Sequence, residues 1–288
     1  IPIFTSIKQY NIIMKRTNPS GSRQVILITG ASSGIGKATA NLLVQQGYTV
    51  YGTSRKASES TNGVRMLTMD VTQPASIQQA VEQILSEQGR IDILINNAGL
   101  GISGALELET DEEIGKQMDT NFMGVVRMCK AVIPIMRKER KGFIINISSI
   151  GGLIAVPFQG FYSASKFAVE GYSEALQHEI RPFGIRVCLV EPGDFYTNFT
   201  ANRGISSATL DNPDYREVFG RVINAFEKME KNGAHPDKLA HAILRLIRSS
   251  RPPFRCKTGP IEQVLFACCK SWLPEKFVHW VVRTGYRL

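Results

Sequence analysis

The sequence predicts an α/β fold: a single-domain, doubly wound parallel sheet with a small helical lid. Three observations predict it. Short, near-continuous apolar runs rich in β-branched residues recur between residues 24 and 195, amphipathic helical patterns lie between them, and a glycine-rich turn joins the first run to the first helix. Strands apolar along their whole length must be buried on both faces, which a parallel sheet covered by helices on each side provides. Right-handed crossovers then make the sheet doubly wound.

The elements follow in order. Residues 1–23, which open IPIFTSIKQYNII before Met14, show no lasting period and read as an N-terminal appendage outside the fold. QVILIT at 24–29 is the first strand, and GKATANLLVQQG is a helix that stops at Gly47, a typical C-cap residue. TVYGTS, VRMLTM, IDILIN, GFIINIS and IRVCLVEP read as strands starting at 49, 64, 91, 142 and 185, with helical patterns at 74–88, 111–138 and 160–182. No glycine- or proline-rich linker interrupts them, so residues 24–260 are expected to form one domain. Past Gly193 the rhythm loosens into a polar stretch at 200–212 and helices at 213–231 and 236–249. Residues 197–231 are expected to cover the carboxyl edge of the sheet, and an apolar, basic tail occupies 261–288.

Composition narrows the function classes. With 288 residues, 43% hydrophobic and 20% charged, the chain has a globular balance and the length for a sizeable core. The net charge of +9 raises nucleic acid, anionic lipid or a phosphorylated ligand as partners. The densest basic run, Arg137 to Lys141, ends a helical pattern where cations suit the dipole and water, which argues against nucleic acid. The five cysteines make no Cys-x-x-Cys pair and no metal spacing with the four histidines, so no metal and a reducing compartment are expected. No apolar run approaches the roughly 18 residues a membrane span needs. The N-terminus lacks signal-peptide order, and the expected location is cytoplasmic.

TGASSGIG at 29–36 sits where the first strand meets the first helix. Gly30 permits the tight turn, Gly34 lets a pyrophosphate approach the backbone, and Gly36 allows helix and sheet to pack closely. With Ser32, Ser33 and Ile35 they form the phosphate cradle at a helix N-terminus, the dinucleotide-binding (Rossmann) arrangement. The second strand ends in YGTSRK, with Arg55 and no carboxylate near the expected adenosine ribose. A guanidinium suits a 2′-phosphate, so NADP(H) is favoured over NAD(H).

With TGxxxGIG at 29–36, NNAG at 96–99, Asn121, Ser149, YSASK at 162–166 and EPGDFYT at 191–197 in order, residues 24–260 resemble the short-chain dehydrogenase/reductase family. The resemblance is to its shorter branch, closest in look to hydroxysteroid and retinol dehydrogenases and bacterial-type oxidoreductases. It implies that Asp70 and Val71 flank the adenine, that Asn97, Ala98 and Gly99 support the cofactor cleft, and that Pro192, Gly193 and Thr197 meet the nicotinamide half. It also implies a homo-oligomer, a role for Asn121 in anchoring a water that links Lys166 to solvent, and contact of Lys166 with the nicotinamide ribose.

Carbonyl reduction needs a hydride at carbon, which a nicotinamide supplies, and a proton at oxygen, which the protein must supply. Tyr162 is the expected acid/base, but a phenol of pKa about 10 acts slowly near neutrality. Lys166 lies at i+4 on the same helical face, and its ammonium is expected to lower that pKa. Ser149, ending a strand, can donate to the substrate oxygen as negative charge develops. The expected activity interconverts a carbonyl and an alcohol on a lipophilic small molecule. A non-catalytic NADP-binding redox sensor is the alternative, disfavoured because a binder needs no proton relay.

Leu153, Val156, Phe158, Phe195, Tyr196 and Phe199 are expected to border an apolar cleft. For the tail, packing on the domain or a subunit contact is favoured over contact with an acidic membrane surface. The sequons at Asn146 and Asn198 are discarded, the first because it falls in a buried strand and both for want of a secretory signal.

Overall fold

The computed structural model, which describes residues 23–56, 60, 62–197, 199 and 202–288, stacks the six expected strands and one more into a seven-stranded sheet. In chain order these are β1 (Val25–Ile28), β2 (Thr49–Ser54), β3 (Arg65–Thr68), β4 (Ile93–Asn96), β6 (Gly142–Ile147), β7 (Ile185–Pro192) and β9 (Arg255–Thr258). β5 (Ile102–Ser103) and β8 (Gly204–Ile205) form a separate parallel pair. The spatial order β3-β2-β1-β4-β6-β7-β9 is parallel throughout and reverses direction between β1 and β4, opening a crevice at their carboxyl ends. The proposed appendage and Asn198 lie outside the described residues, except for Arg23.

Both faces of the sheet are covered, which accounts for the unbroken apolar runs. Leu27, Leu94, Ile144 and Leu189 point into one core, shared with α2 (Pro74–Gln88), α4 (Gly124–Lys138) and α5 (Gly160–Ile180). Their chain neighbours Ile26, Ile28, Ile93, Ile95 and Ile145 point into the other, shared with α1 (Gly34–Gln45) and α8 (Pro236–Arg248). Each such side chain contributes about 1.5–3 kcal/mol when fully buried.

Local signals set the helix ends. Pro74 stands in the first turn of α2 and Gly89 closes it with φ 71°. Thr110 and Glu113 form a reciprocal capping box on α3 (Asp111–Met118), with hydrogen bonds of 2.8 and 3.2 Å, and three acidic residues suit its positive end. The basic run at the end of α4 is used locally: the Arg137 and Arg140 guanidinium groups lie 5.7 and 5.6 Å from the Phe183 ring centroid.

Two expectations change, and one strand is new. The pattern at 111–138 is not one helix, because a π-helical turn at Asp119–Met123 separates α3 from α4. Residues 200–212 hold β8 and the short helix α6 (Ser207–Asp211). RCKT at 255–258 is the edge strand β9; its cations compensate the fully buried Glu191, with Arg255 at 3.1 Å and Lys257 at 3.2 Å. A short polar edge has no apolar run to betray it.

β5 and β8 tie the segment after β7 to the body of the fold beside Glu109. This carboxyl is buried near Gly104, Ser206 and Thr209, accepts from Gln117 Nε2 at 3.2 Å, and is pushed up to about 7, mainly by burial and then by Glu113. An acid whose folded pKa is raised holds more protons folded than unfolded between its unfolded value of about 4.3 and the folded one. It therefore contributes stability that is present at low pH and lost as pH rises through that window. Glu109→Gln should flatten this part of the profile and raise the melting temperature at pH 8 relative to the parent. Thermal melts at pH 5 and pH 8 test this; an unchanged difference between parent and variant would dismiss Glu109 as a source of the slope.

Candidate active site

The site is built where β1 ends. Gly30 has φ 68°, and a β-carbon on it would sit 3.0 Å from Ala98 Cα; one on Gly36 would sit 2.3 Å from Gly30 O. The crossing is held by side chains on both sides. Thr29 Oγ1 accepts from the backbone N–H groups of Asn97 and Ala98 at 3.0 and 2.9 Å, while Asn97 Nδ2 donates to the carbonyls of Thr29 and Gly30 at 2.9 and 3.0 Å. Asn97 thus fastens the ends of β1 and β4 together at the reversal of strand order.

From this crossing a cavity of about 880 Å³ runs along the carboxyl edge of the sheet. Gly30, Ser32, Ser33, Gly34, Ile35 and Gly36 line one end, with Arg55, Asp70 and Val71. Asn97, Ala98, Gly99, Ser149, Tyr162, Lys166, Pro192, Gly193 and Thr197 line its middle portion. The sequence-predicted residues are therefore brought together, with one exception. Asn121 is buried behind the wall, its Oδ1 accepting from Leu100 N at 2.9 Å and its Nδ2 donating to Leu100 O and Ser165 Oγ at 2.9 and 3.0 Å. It sits in the π-helical turn, a feature frequent at functional sites.

Ser149 lies two residues past β6, where its hydroxyl accepts from Gly151 N at 3.0 Å and donates to Pro192 O at 3.4 Å. A hydrogen bond with Ser149 lowers the Tyr162 pKa, but burial, the larger effect, leaves it above the ordinary phenol value. Lys166 is buried and donates from Nζ to Ile147 O at 3.0 Å; burial pushes its pKa down to about 8. The expected lowering of Tyr162 by Lys166 is thus not found in the protein alone. The amine donates instead to a β6 carbonyl and lies 5.8 Å from the phenol ring centroid.

The remaining end of the cavity is apolar. Val156, Phe195 and Phe199 line it as expected, with the Phe199 and Tyr162 ring centroids 5.9 Å apart. Leu153, Phe158 and Tyr196 do not. Phe158 instead adopts φ 54° and packs its ring edge-to-face on Tyr215 and on Phe219 of α7 (Arg216–Lys231), while Tyr196 is exposed. The tail contributes what motif reasoning missed. α9 (Ile261–Cys269) supplies Gln263 and Phe266, and α10 (Glu275–Gly285) supplies Val281 and Val282 to the wall, with Tyr286 just beyond. Tyr286 stacks on Phe226 of α7 at 4.6 Å, and the apolar density of 261–288 was its only sequence signal. Two carboxylates also reach the cavity: Asp194, bonded to Gln263, and Glu230, paired with Arg203.

The start of α1 fits a dinucleotide phosphate. Among the described residues its N-cap, Ser33, makes no side-chain capping bond, and no acidic residue occupies its first turn. The first-turn N–H groups therefore face the cavity ready for an anion. Among the described residues no cluster of ligating side chains fits a metal ion, and no helix is long and apolar enough to cross a membrane.

The chain is similar to known proteins along most of its length. The short chain dehydrogenase family profile matches residues 24–207. A 3-ketodihydrosphingosine reductase from Bacteroides thetaiotaomicron is 62% identical over 265 residues, covering 92% of this chain and 98% of its own length. A short-chain dehydrogenase structure from Streptomyces avermitilis shares 34% identity and a TM-score of 0.76, covering 88% of this chain and 94% of its own. The 3-ketoacyl-(acyl-carrier-protein) reductase of Brucella melitensis, solved with NADH, shares 27% identity and a TM-score of 0.68 over 82% of this chain and 96% of its own. A nicotinamide cofactor is supported.

Proposed function

Because the chain belongs to the short-chain dehydrogenase/reductase family and is an oxidoreductase, we propose that it reduces the ketone of a long-chain amino ketone such as 3-ketodihydrosphingosine, with NADPH as cofactor. The observation that carries this reading is one cavity with a glycine-turn phosphate cradle at one end, an apolar wall at the other, and Ser149, Tyr162 and Lys166 between them. Gly30 to Gly36 and Arg55 would hold the cofactor, which when bound supplies the hydride. Arg55 favours a 2′-phosphate.

The chain's own residues supply the proton and the geometry. Tyr162, held protonated by burial, donates its hydroxyl proton to the substrate oxygen as hydride reaches the carbon. Ser149 donates a hydrogen bond to the same oxygen and stabilises its developing charge. Lys166, fixed by Ile147 O, places a cation beside the phenol ring. Asn121 acts as a positioning residue, bracing Leu100 and Ser165 and, through them, the floor under Gly99 and α5.

The apolar end formed by Val156, Phe195, Phe199, Phe266 and Val282 suits an alkyl chain, and Asp194 and Glu230 suit an ammonium near the ketone. No observation favours the non-catalytic redox sensor, because the groups a proton-transferring site needs face the cavity together.

The test measures cofactor oxidation by the purified chain with 3-ketodihydrosphingosine, using NADPH and NADH in parallel. We expect kcat/KM at least about tenfold higher with NADPH, and an Arg55→Asp variant shifted toward NADH by a similar factor, roughly 1.4 kcal/mol. Turnover of steroids or retinoids but not of the amino ketone would reassign the substrate. Equal use of both cofactors by the parent would remove the Arg55 argument.

A further inference from the structure

We infer that the outer face of α9 and α10 is a docking surface for an anionic lipid bilayer. Ile261, Leu265, Cys268 and Trp272 follow one another at i, i+4, i+7 and i+11, so they share a face of α9 and the single turn after it. That face is open to solvent, with Ile261 73%, Leu265 57% and Trp272 90% exposed. On α10, Phe277 and Trp280 stack at 5.7 Å between centroids on the outer side, and Trp280 is 60% exposed. Isolated apolar residues on a surface are ordinary, but an aligned stripe continued by two tryptophans is a partner's footprint.

Charge identifies the occupant. Lys270, Lys276, Arg283 and Arg287 punctuate these helices against only Glu262 and Glu275, and Lys276, Arg283 and Arg287 are exposed beside Trp280. Large aromatics interleaved with cations are the composition of a helix lying at a lipid–water boundary, where rings enter the headgroup layer and cations meet lipid phosphates. A second copy of the chain docked about a two-fold axis would set these cations against each other. The opposite sides of the same helices, at Phe266, Val281, Val282 and Tyr286, wall the cavity. A bilayer bound outside would thus lie one helix thickness from the apolar end of the site.

Flotation of the full chain with vesicles tests this without turnover. Recovery should be high with phosphatidylcholine vesicles containing a third phosphatidylglycerol and several-fold lower with phosphatidylcholine alone, and it should fall in high salt. Trp272→Ser with Trp280→Ser should reduce recovery about tenfold. Lys276→Glu with Arg283→Glu should abolish the preference for anionic vesicles. None of these residues lines the cavity, so circular dichroism and cofactor affinity should match the parent and show that each variant is folded. Equal recovery of the parent and the tryptophan variant overturns the inference. So does a parent that ignores vesicles and loses its oligomeric state, by light scattering, when the tryptophans are replaced; the face would then join copies of the chain.

Discussion

Tyr162→Phe should lower kcat by about 10²- to 10⁴-fold while NADPH still binds, because the change deletes the proposed proton donor and little else. The ring keeps its surroundings: Phe199 stays at 5.9 Å between centroids, and Lys166 keeps its bond to Ile147 O. Ser149 loses one partner but retains Gly151 N and Pro192 O. The melting temperature should therefore stay near that of the parent, and fluorescence titration with NADPH should give a similar Kd. The pH profile adds a second readout. Reduction needs the protonated phenol, and burial holds its pKa above the ordinary value, so the parent's reduction rate should persist through neutral pH and fall only in alkaline solution. The residual rate of the variant should show no such alkaline limb. A kcat within tenfold of the parent would end the assignment of Tyr162 as the acid.

The elements that the sequence reveals are those decided locally. The glycine turn is read correctly because its requirements, a positive φ at Gly30 and no side chain at Gly36, are written into adjacent residues. The strands are equally legible, since burial on two faces leaves no polar position between Val25 and Ile28 or between Ile93 and Ile95. The misses have a common cause in partners distant along the chain. Periodicity over 111–138 continues through the π-helical turn, which shows itself only in the backbone bond from Gly124 N to Asp119 O, one residue longer than an α-helical one. Spacing puts Lys166 near Tyr162, yet spacing says nothing of the Ile147 carbonyl that takes the amine. β9 is invisible because an edge strand of arginine and lysine makes sense only opposite Glu191. The tail's share in the cavity is likewise a matter of tertiary packing, with Tyr286 reaching Phe226 of α7.

Gly36→Ala should cost both stability and cofactor binding, for a reason of space rather than of backbone freedom. A β-carbon there would lie 2.3 Å from Gly30 O and 2.5 Å from Asn97 Nδ2. Neither neighbour can yield cheaply. Gly30 is itself pressed toward Ala98 Cα, and Asn97 Nδ2 is committed to the carbonyls of Thr29 and Gly30. Relief must come from moving the first turn of α1 off the sheet, which breaks the Asn97 clasp and turns the phosphate-binding N–H groups away. Overpacking of this kind costs about 1–3 kcal/mol, and the misaligned cradle should weaken NADPH binding by about tenfold or more. Gly171→Ala in α5 is the control. Its β-carbon would meet nothing within 4 Å on an exposed helical face, so it should stabilise by about 0.5–1 kcal/mol and leave NADPH affinity unchanged. Urea midpoints and NADPH titrations on the two variants separate the causes. If Gly36→Ala matches the parent in both, the tight crossing is not what holds the cradle in place.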